Sequence, residues 1–221
     1  MRVLAFDTTG PVISVGAAAD SRPLWRLGRL SERGKGNLLD VMIEEALRHV
    51  GWSRGDVEGL ALLTGPGSLT AIRIGWATAA GWAQAMGIPL TGWSVVSAHR
   101  RALSDEAKVA SCCVHFRADT FLVYDLGATE TRPTVVNLQA GSFSDNPPRL
   151  LTGPGVFGNR DRWAAYYKGA TRIADDADAF IGADILAVWG ELDLGAGQFL
   201  RFQDSPLDYG LPPDFKKIAT I

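Results

Sequence analysis

Short apolar runs separated by polar punctuation assign an element to nearly every part of the first hundred residues. RVLAF (2–6) reads as a buried strand ended by the polar Asp7-Thr8-Thr9-Gly10 turn. PVISVGAAA (11–19) and PLWRLGRL (23–30) follow as two more strands, and the short turns between the three predict an antiparallel meander. After the polar loop SERGKGN (31–37), Leu39, Met42, Ile43, Ala46, Leu47 and Val50 recur at three- and four-residue spacing. That period predicts a helix over 38–50, with Asn37 as its N-cap and Gly51 as its stop. VEGLALLTG (57–65) is the next strand, a Gly-Pro-Gly turn follows, and then a helix over 69–86 and a strand around IPLTGWSV.

The order strand-strand-strand-helix-strand-helix-strand is that of a half-domain of the actin-like ATPase (ribonuclease H-like) fold. It predicts an α/β protein of two subdomains, each a mixed sheet flanked by helices. The second half predicts paired strands at 108–116 and 120–127 around an Arg117–Ala118–Asp119 turn, and a third at 133–139. A loop-rich stretch then leads to a short helix in NRDRWAAYYK, and helical spacing at Ile181, Ile185, Ala187, Val188 and Leu192 predicts a last helix. The prolines of the 206–213 tail rule out a regular helix throughout it. We therefore divide the chain at residues 1–100 and 101–205, with 206–221 expected to pack back on the first subdomain.

The 69–86 helix is unusual because it is apolar nearly all round. Between Thr70 and Met86 only Arg73 and Gln84 are strongly polar. Ile72, Trp76, Ala79 and Ala83 form one face for the sheet, which leaves Ala71, Ile74, Gly75, Trp82 and Ala85 needing cover. Small residues at four-residue spacing, Ala71, Gly75 and Ala79, admit a close helix neighbour, and the 38–50 helix lies in the same half. Two such helices from each of two chains predict a four-helix interface. The interface residues expected are Leu38, Leu39, Met42, Ala71, Gly75, Thr78, Ala79 and Trp82. On this reading Gly75→Leu or Ala79→Leu abolishes dimerisation.

Composition narrows the chemistry. Of 221 residues, 47% are apolar and 21% charged, with a formal net charge of −2; no basic cluster supplies the footprint of a protein that grips nucleic acid unaided. The adjacent Cys112 and Cys113 suit a reducing cytoplasm, and MRVLAFDTTG lacks the plan of a signal peptide, so a cytoplasmic, non-membrane protein is expected. His49, His99 and His115 are too far apart for a zinc-peptidase pair. Cys112 and Cys113 fall in a strand-like run, and one of them is expected to point inward as a small apolar residue. Gly65-Pro66-Gly67-Ser68 before a helix can cradle phosphate or simply turn the chain; it is no Walker motif, because 65–72 contains no lysine. Asp7 and Thr8 are the remaining nucleotide candidates, with Gly65, Gly67 and Ser68. In actin-like ATPases an aspartate at the end of the first strand orients a metal, although here a threonine stands where that hairpin usually has glycine, and Asp7 can instead bond within its own turn. No catalytic residue, bound cofactor or metal site is assigned.

Two stretches carry a resemblance. LAFDTTGPVISVGAA and GPGSLTAIRIGWATAAGWAQAMGIPLTGWSVVSA are similar to the opening and the most specific segment of the TsaB (YeaZ) family, the catalytically silent actin-like paralogue of TsaD. The similarity covers about residues 1–99 and thins to fragments beyond. Leu69 and Ala71 replace the usual phenylalanine and glycine, and Gly34–Asn37 replaces a usual histidine-containing entry to the first helix. The resemblance implies a homodimer in isolation and a TsaD-like partner, with a TsaE-like ATPase as a further one. It also implies that ATP and metal sit on the TsaD-like protein and that tRNA is met only through the complex. The function implied is support for threonylcarbamoyl transfer to the adenosine next to the anticodon. The alternative is an actin-like kinase or ATPase using Asp7 and the Gly65–Thr70 turn.

Overall fold

A computed structural model describes residues 1–31, 38–129, 132–139, 147–201 and 207–210; the expected Asn37 cap and most of the 206–221 tail lie outside them. The first lobe is a sheet of β1 (Val3–Asp7), β2 (Val12–Ala19), β3 (Arg22–Leu30), β4 (Gly59–Leu63) and β5 (Leu90–Trp93), in the order β3-β2-β1-β4-β5. The meander is antiparallel, whereas β4 and β5 join in parallel. Strand alternation sorts the core. Leu4, Phe6, Leu60 and Leu62 face α1 (Leu38–Val50) and α2 (Leu69–Met86), and Val3, Ala5, Ala61 and Leu63 belong to the cluster on the opposite face. Gly51 ends α1 in the left-handed conformation at φ 71°, with Trp52 N–H donating to the Leu47 carbonyl at 2.9 Å.

The second lobe repeats the plan. After α3 (Val95–Leu103) come β6 (Ala110–Arg117), β7 (Thr120–Asp125), β8 (Thr134–Asn137), β9 (Leu150–Thr152), α4 (Arg160–Tyr166) and β10 (Arg172–Ile173), in the sheet order β10-β9-β6-β7-β8. The hexapeptide Leu-Leu-Thr-Gly-Pro-Gly occurs twice, at 62–67 and 150–155. Each copy ends the strand that runs parallel to its sheet's central strand. Leu62 pairs with Phe6, and Leu150 pairs with Ala110. Thr64 donates its hydroxyl to the Trp93 carbonyl at 3.2 Å, and Thr152 donates to the Asp178 carbonyl at 3.1 Å. The two lobes are one supersecondary plan used twice.

Several elements depart from expectation. The sequence predicts no helix at α3, whose first residue alone, Val95, falls in the IPLTGWSV strand, and no strand at β10, and β9 sits in a stretch that reads as loop. The last helix, α5 (Ala183–Gly195), keeps its place but is rotated. Its buried side carries Ala183, Leu186, Ala187 and Gly190, while Ile185 and Leu192 are exposed. Moreover α5 packs on β1 to β5 of the first sheet, although the division at residue 205 counts it with the second lobe. Close approach explains the small residues. A Cβ on Gly16 of β2 would collide with the α5 backbone at Ala183 and Asp184, and one on Gly190 would lie 2.7 Å from Ala61 Cβ. Asp193 then braces the far end, accepting from Trp93 Nε1 at 2.9 Å and from Arg101 at 2.8 Å.

Cys112 and Cys113 are both buried, because the second sheet is covered on both faces. Cys112 joins the cluster with Val96, Val114 and Leu122, and Cys113 joins that with Phe121 and Trp163. Gly16→Ala is expected to lower the unfolding free energy by about 1–3 kcal/mol, since the added methyl meets main chain that cannot turn aside. Urea denaturation measures it, and an unchanged midpoint would contradict this packing.

Candidate functional site

A cleft of about 1100 Å³ opens between the lobes. Its first wall is the β1–β2 hairpin and the start of α2, with Thr8, Thr9, Gly10, Gly67, Ser68 and Ala71. The second wall is the β6–β7 hairpin with His115 to Ala118, and the Gly-Pro-Gly loop after β9, with Pro154, Phe157 and Asn159. The two glycine-rich stretches that the sequence singled out, 7–10 and 65–70, do come together here.

They come together by satisfying each other. Thr9 donates both its N–H and its hydroxyl to Asp7 Oδ1, each at 2.7 Å, so the buried carboxylate bonds inside its own turn. The Thr9 carbonyl accepts the Ser68 N–H at 3.1 Å and so occupies a donor at the start of α2. Gly67 is required at this contact, because a Cβ there would collide with the same carbonyl. Thr8 donates its hydroxyl to the Ala71 carbonyl at 2.8 Å, and a Cβ on Gly75 would lie 2.5 Å from that hydroxyl. Ser68 stands at the N-cap in an extended conformation, but its side chain caps nothing. Gly65 stands at φ 111°, directly under the Asp208 carbonyl.

The residues expected at a partner interface divide. Leu39, Met42, Gly75, Ala79 and Trp82 are buried within this chain, and Leu38, Ala71 and Thr78 are half-buried. Of the expected inward face of α2, Ile72, Ala79 and Ala83 are buried and Trp76 is half-buried against the same core; Gly75 and Trp82, expected to need cover, also turn in, Gly75 onto Thr8 and Trp82 beneath the Arg54 guanidinium at 5.4 Å. Gly75→Leu and Ala79→Leu would therefore disrupt the single chain before they could report on a dimer. The outward row of α2 is Arg73, Ala77, Gly81 and Gln84.

His49 stacks on Trp25 at 5.2 Å. His99 is buried with its ring nitrogens against the Val95 and Ala179 carbonyls, at 2.8 and 3.3 Å, and burial holds its pKa below the ordinary histidine value. His115 lies at the cleft with Nε2 against the Ala118 carbonyl at 2.8 Å. Burial keeps both thiols protonated. Among the described residues no group of three or more His, Cys, Asp or Glu is placed to hold a metal ion. Asp7 Oδ1 and the Ser68 N–H, two of the groups that a metal–phosphate ligand would meet between hairpin and helix, are thus engaged within the chain. Pro154, Phe157, Asn159 and Tyr209 were missed as cleft residues; the second Leu-Leu-Thr-Gly-Pro-Gly was the signal that would have found the first three.

The sequence model of the TsaD family, tRNA N6-adenosine threonylcarbamoyltransferase, matches residues 29–165. This chain belongs to the TsaD family. The tRNA N6-adenosine threonylcarbamoyltransferase of Geotalea uraniireducens is 31% identical over 121 residues, 52% of this chain and 35% of that protein. That of Cereibacter sphaeroides is 33% identical over 70 residues, 32% of this chain and 19% of that protein. This TsaD-family chain thus spans about a third or less of the length of the curated relatives it matches. Among solved structures, YeaZ from Pseudomonas aeruginosa superposes with a TM-score of 0.64 at 20% identity, covering 94% of this chain and 99% of that one. The activator of 2-hydroxyisocaproyl-CoA dehydratase from Clostridium difficile, solved with bound ADPNP, superposes at 0.53 with 9% identity, covering 91% of this chain and 99% of that one. These likenesses establish the actin-like fold.

Burial raises the pKa of Asp7, and the two Thr9 bonds offset part of that rise. A carboxyl with a raised folded-state pKa stabilises the fold below the ordinary carboxylate range, and that contribution is lost as pH rises through the folded value. The TsaD-family chain carrying Asp7→Asn, which has no charge to bury, should gain stability relative to the parent on going from acid to neutral pH. Urea unfolding across that range measures it; a variant that weakens relative to the parent as pH rises would contradict the assignment.

Proposed function

We propose that this chain is a non-catalytic partner of a TsaD-like ATPase in the transfer of threonylcarbamoyl to the adenosine next to the tRNA anticodon. Membership of the TsaD family supports the pathway. The observation that supports the non-catalytic role is the Thr9 carbonyl on the Ser68 N–H, beside an Asp7 carboxyl whose Oδ1 accepts two bonds from Thr9. ATP and metal then belong to the TsaD-like protein, and a TsaE-like ATPase acts on the assembly. A net charge of −2 supports contact with tRNA through the complex rather than by this chain alone. No described helix is long and apolar enough to cross a membrane.

The contact is carried by α1 and α2, with the chain a homodimer when alone. Since the inner face of α2 is used within the chain, the partner meets its outer row, Ala77 and Gly81, flanked by the half-buried Leu38, Ala71 and Thr78. Small exposed residues admit a helix backbone closely. A Cβ on Gly81 would meet nothing within 4 Å, so substitution there leaves this chain's own packing alone. Ala77→Glu combined with Gly81→Glu should weaken binding to the TsaD-like protein by about tenfold or more while circular dichroism and melting stay those of the parent. Calorimetric titration of the two purified proteins reads this, and full affinity in the doubly substituted chain would overturn the interface.

A further inference from the structure

The four residues Leu207–Gly210 cross the rim of the cleft and touch both lobes. On the first-lobe side, the Asp208 N–H donates to the Thr64 carbonyl at the end of β4, at 2.9 Å. The Tyr209 ring lies 5.6 Å from the Arg73 guanidinium of α2, and its hydroxyl accepts from Arg73 Nε at 3.4 Å. On the second-lobe side, Tyr124 of β7 donates its hydroxyl to the Gly210 carbonyl at 3.1 Å. Gly210 is a wedge: a Cβ there would lie 2.7 Å from Leu122 Cδ1 and 3.0 Å from both Pro66 Cβ and Tyr124 Oη. Its φ of 79° suits glycine, and its N–H donates to Asp208 Oδ1 at 2.7 Å, closing a turn that presents both ends of the segment at once.

Two-lobed proteins can change shape by hinge rotation of one lobe against the other, at a few connecting residues. A short segment bonded to both lobes at the mouth opposes that rotation, because opening must break either its contacts to β4 and α2 or those to β7. We propose that Leu207–Gly210 is an interlobe clasp that sets the opening of the cleft, with the Gly210 wedge as its fixed end and the Arg73–Tyr209 stack as its releasable end. The asymmetry follows from exposure. Gly210 is packed against three side chains, while Tyr209 is 43% exposed and Arg73 lies on the surface. All of the clasp's contacts lie within one chain, so it is tested on this protein alone, although Arg73 shares the outward row of α2 with the proposed partner contact.

Pulsed electron–electron double resonance between nitroxides at Leu24→Cys in β3 and Ala165→Cys in α4, both exposed and off α1 and α2, tests this on the full chain mixed with excess unlabelled chain, so that only pairs within one chain are read. Cys112 and Cys113 are fully buried with their thiols held protonated, so labelling is confined to the introduced pair. The parent should give one narrow distance distribution. Tyr209→Ala should broaden it, and Gly210→Val should broaden and shift it. Tyr124→Phe, which keeps the ring and removes one hydrogen bond, covers the case in which the valine variant fails to fold. Hydrogen exchange at the Asp208 amide should quicken about tenfold in each folded variant. Faster exchange with an unmoved interlobe distance would mean a tail merely anchored at the mouth, and that result would overturn the clasp, as would a parent distribution already broad.

Discussion

The seating of α2 on the β1–β2 hairpin governs the rest of the molecule. Three contacts make it: Ser68 N–H to the Thr9 carbonyl, the Thr8 hydroxyl to the Ala71 carbonyl, and the absence of a side chain at Gly75 above Thr8. Each would be impossible with a longer approach, which is why glycine stands at 67 and 75. The consequence for chemistry is direct. A helix start attracts anions because its N–H groups lack partners; here a backbone carbonyl takes up one of those groups and the hairpin's own threonine takes up the nearby carboxylate.

The second lobe offers an internal comparison. By strand register Thr9 corresponds to Cys113, and the Cys113 carbonyl also accepts an N–H from the turn after its parallel strand, that of Gly155 at 2.9 Å, one position earlier in the aligned hexapeptides than Ser68. A backbone bond from turn to hairpin thus closes both halves, one residue out of step. Asp7 corresponds to Ser111, so the carboxylate is a feature of one half alone. A contact repeated in both halves is a property of the scaffold, and the distinctive chemistry of the first half is reduced to a single aspartate turned toward Thr9.

Much of the first lobe was legible because its signals are long and strongly periodic. Three strands, two helices and the Gly51 stop are where alternation and the three- and four-residue spacing put them. The stripe of α2 is legible at Ile72, Ala79 and Ala83, but the inward turn of Gly75 and Trp82 is not. The phase of α5 is hidden because, where the helix lies close to β2 and β4, small Ala183, Ala187 and Gly190 share its buried stripe with Leu186 while Ile185 and Leu192 stand outside; reading the largest side chains as the core then rotates the helix. β9 was hidden because a three-residue strand is too short to alternate, although its hexapeptide copies the end of β4. In the cleft, Asp7, Thr8, Gly67 and Ser68 were found from local motifs, but their mutual satisfaction depends on contacts between residues some sixty positions apart, which no local pattern carries.

The proposed non-catalytic role requires that the Thr9 carbonyl and the Asp7 turn keep nucleotide phosphates out of this cleft. Isothermal titration of the isolated chain with ATP and magnesium tests it most directly. The account predicts no binding heat from the chain alone, for the parent and for Asp7→Ala alike. Saturable binding by the parent that vanishes in Asp7→Ala would contradict it and assign the first-lobe hairpin to a working nucleotide site.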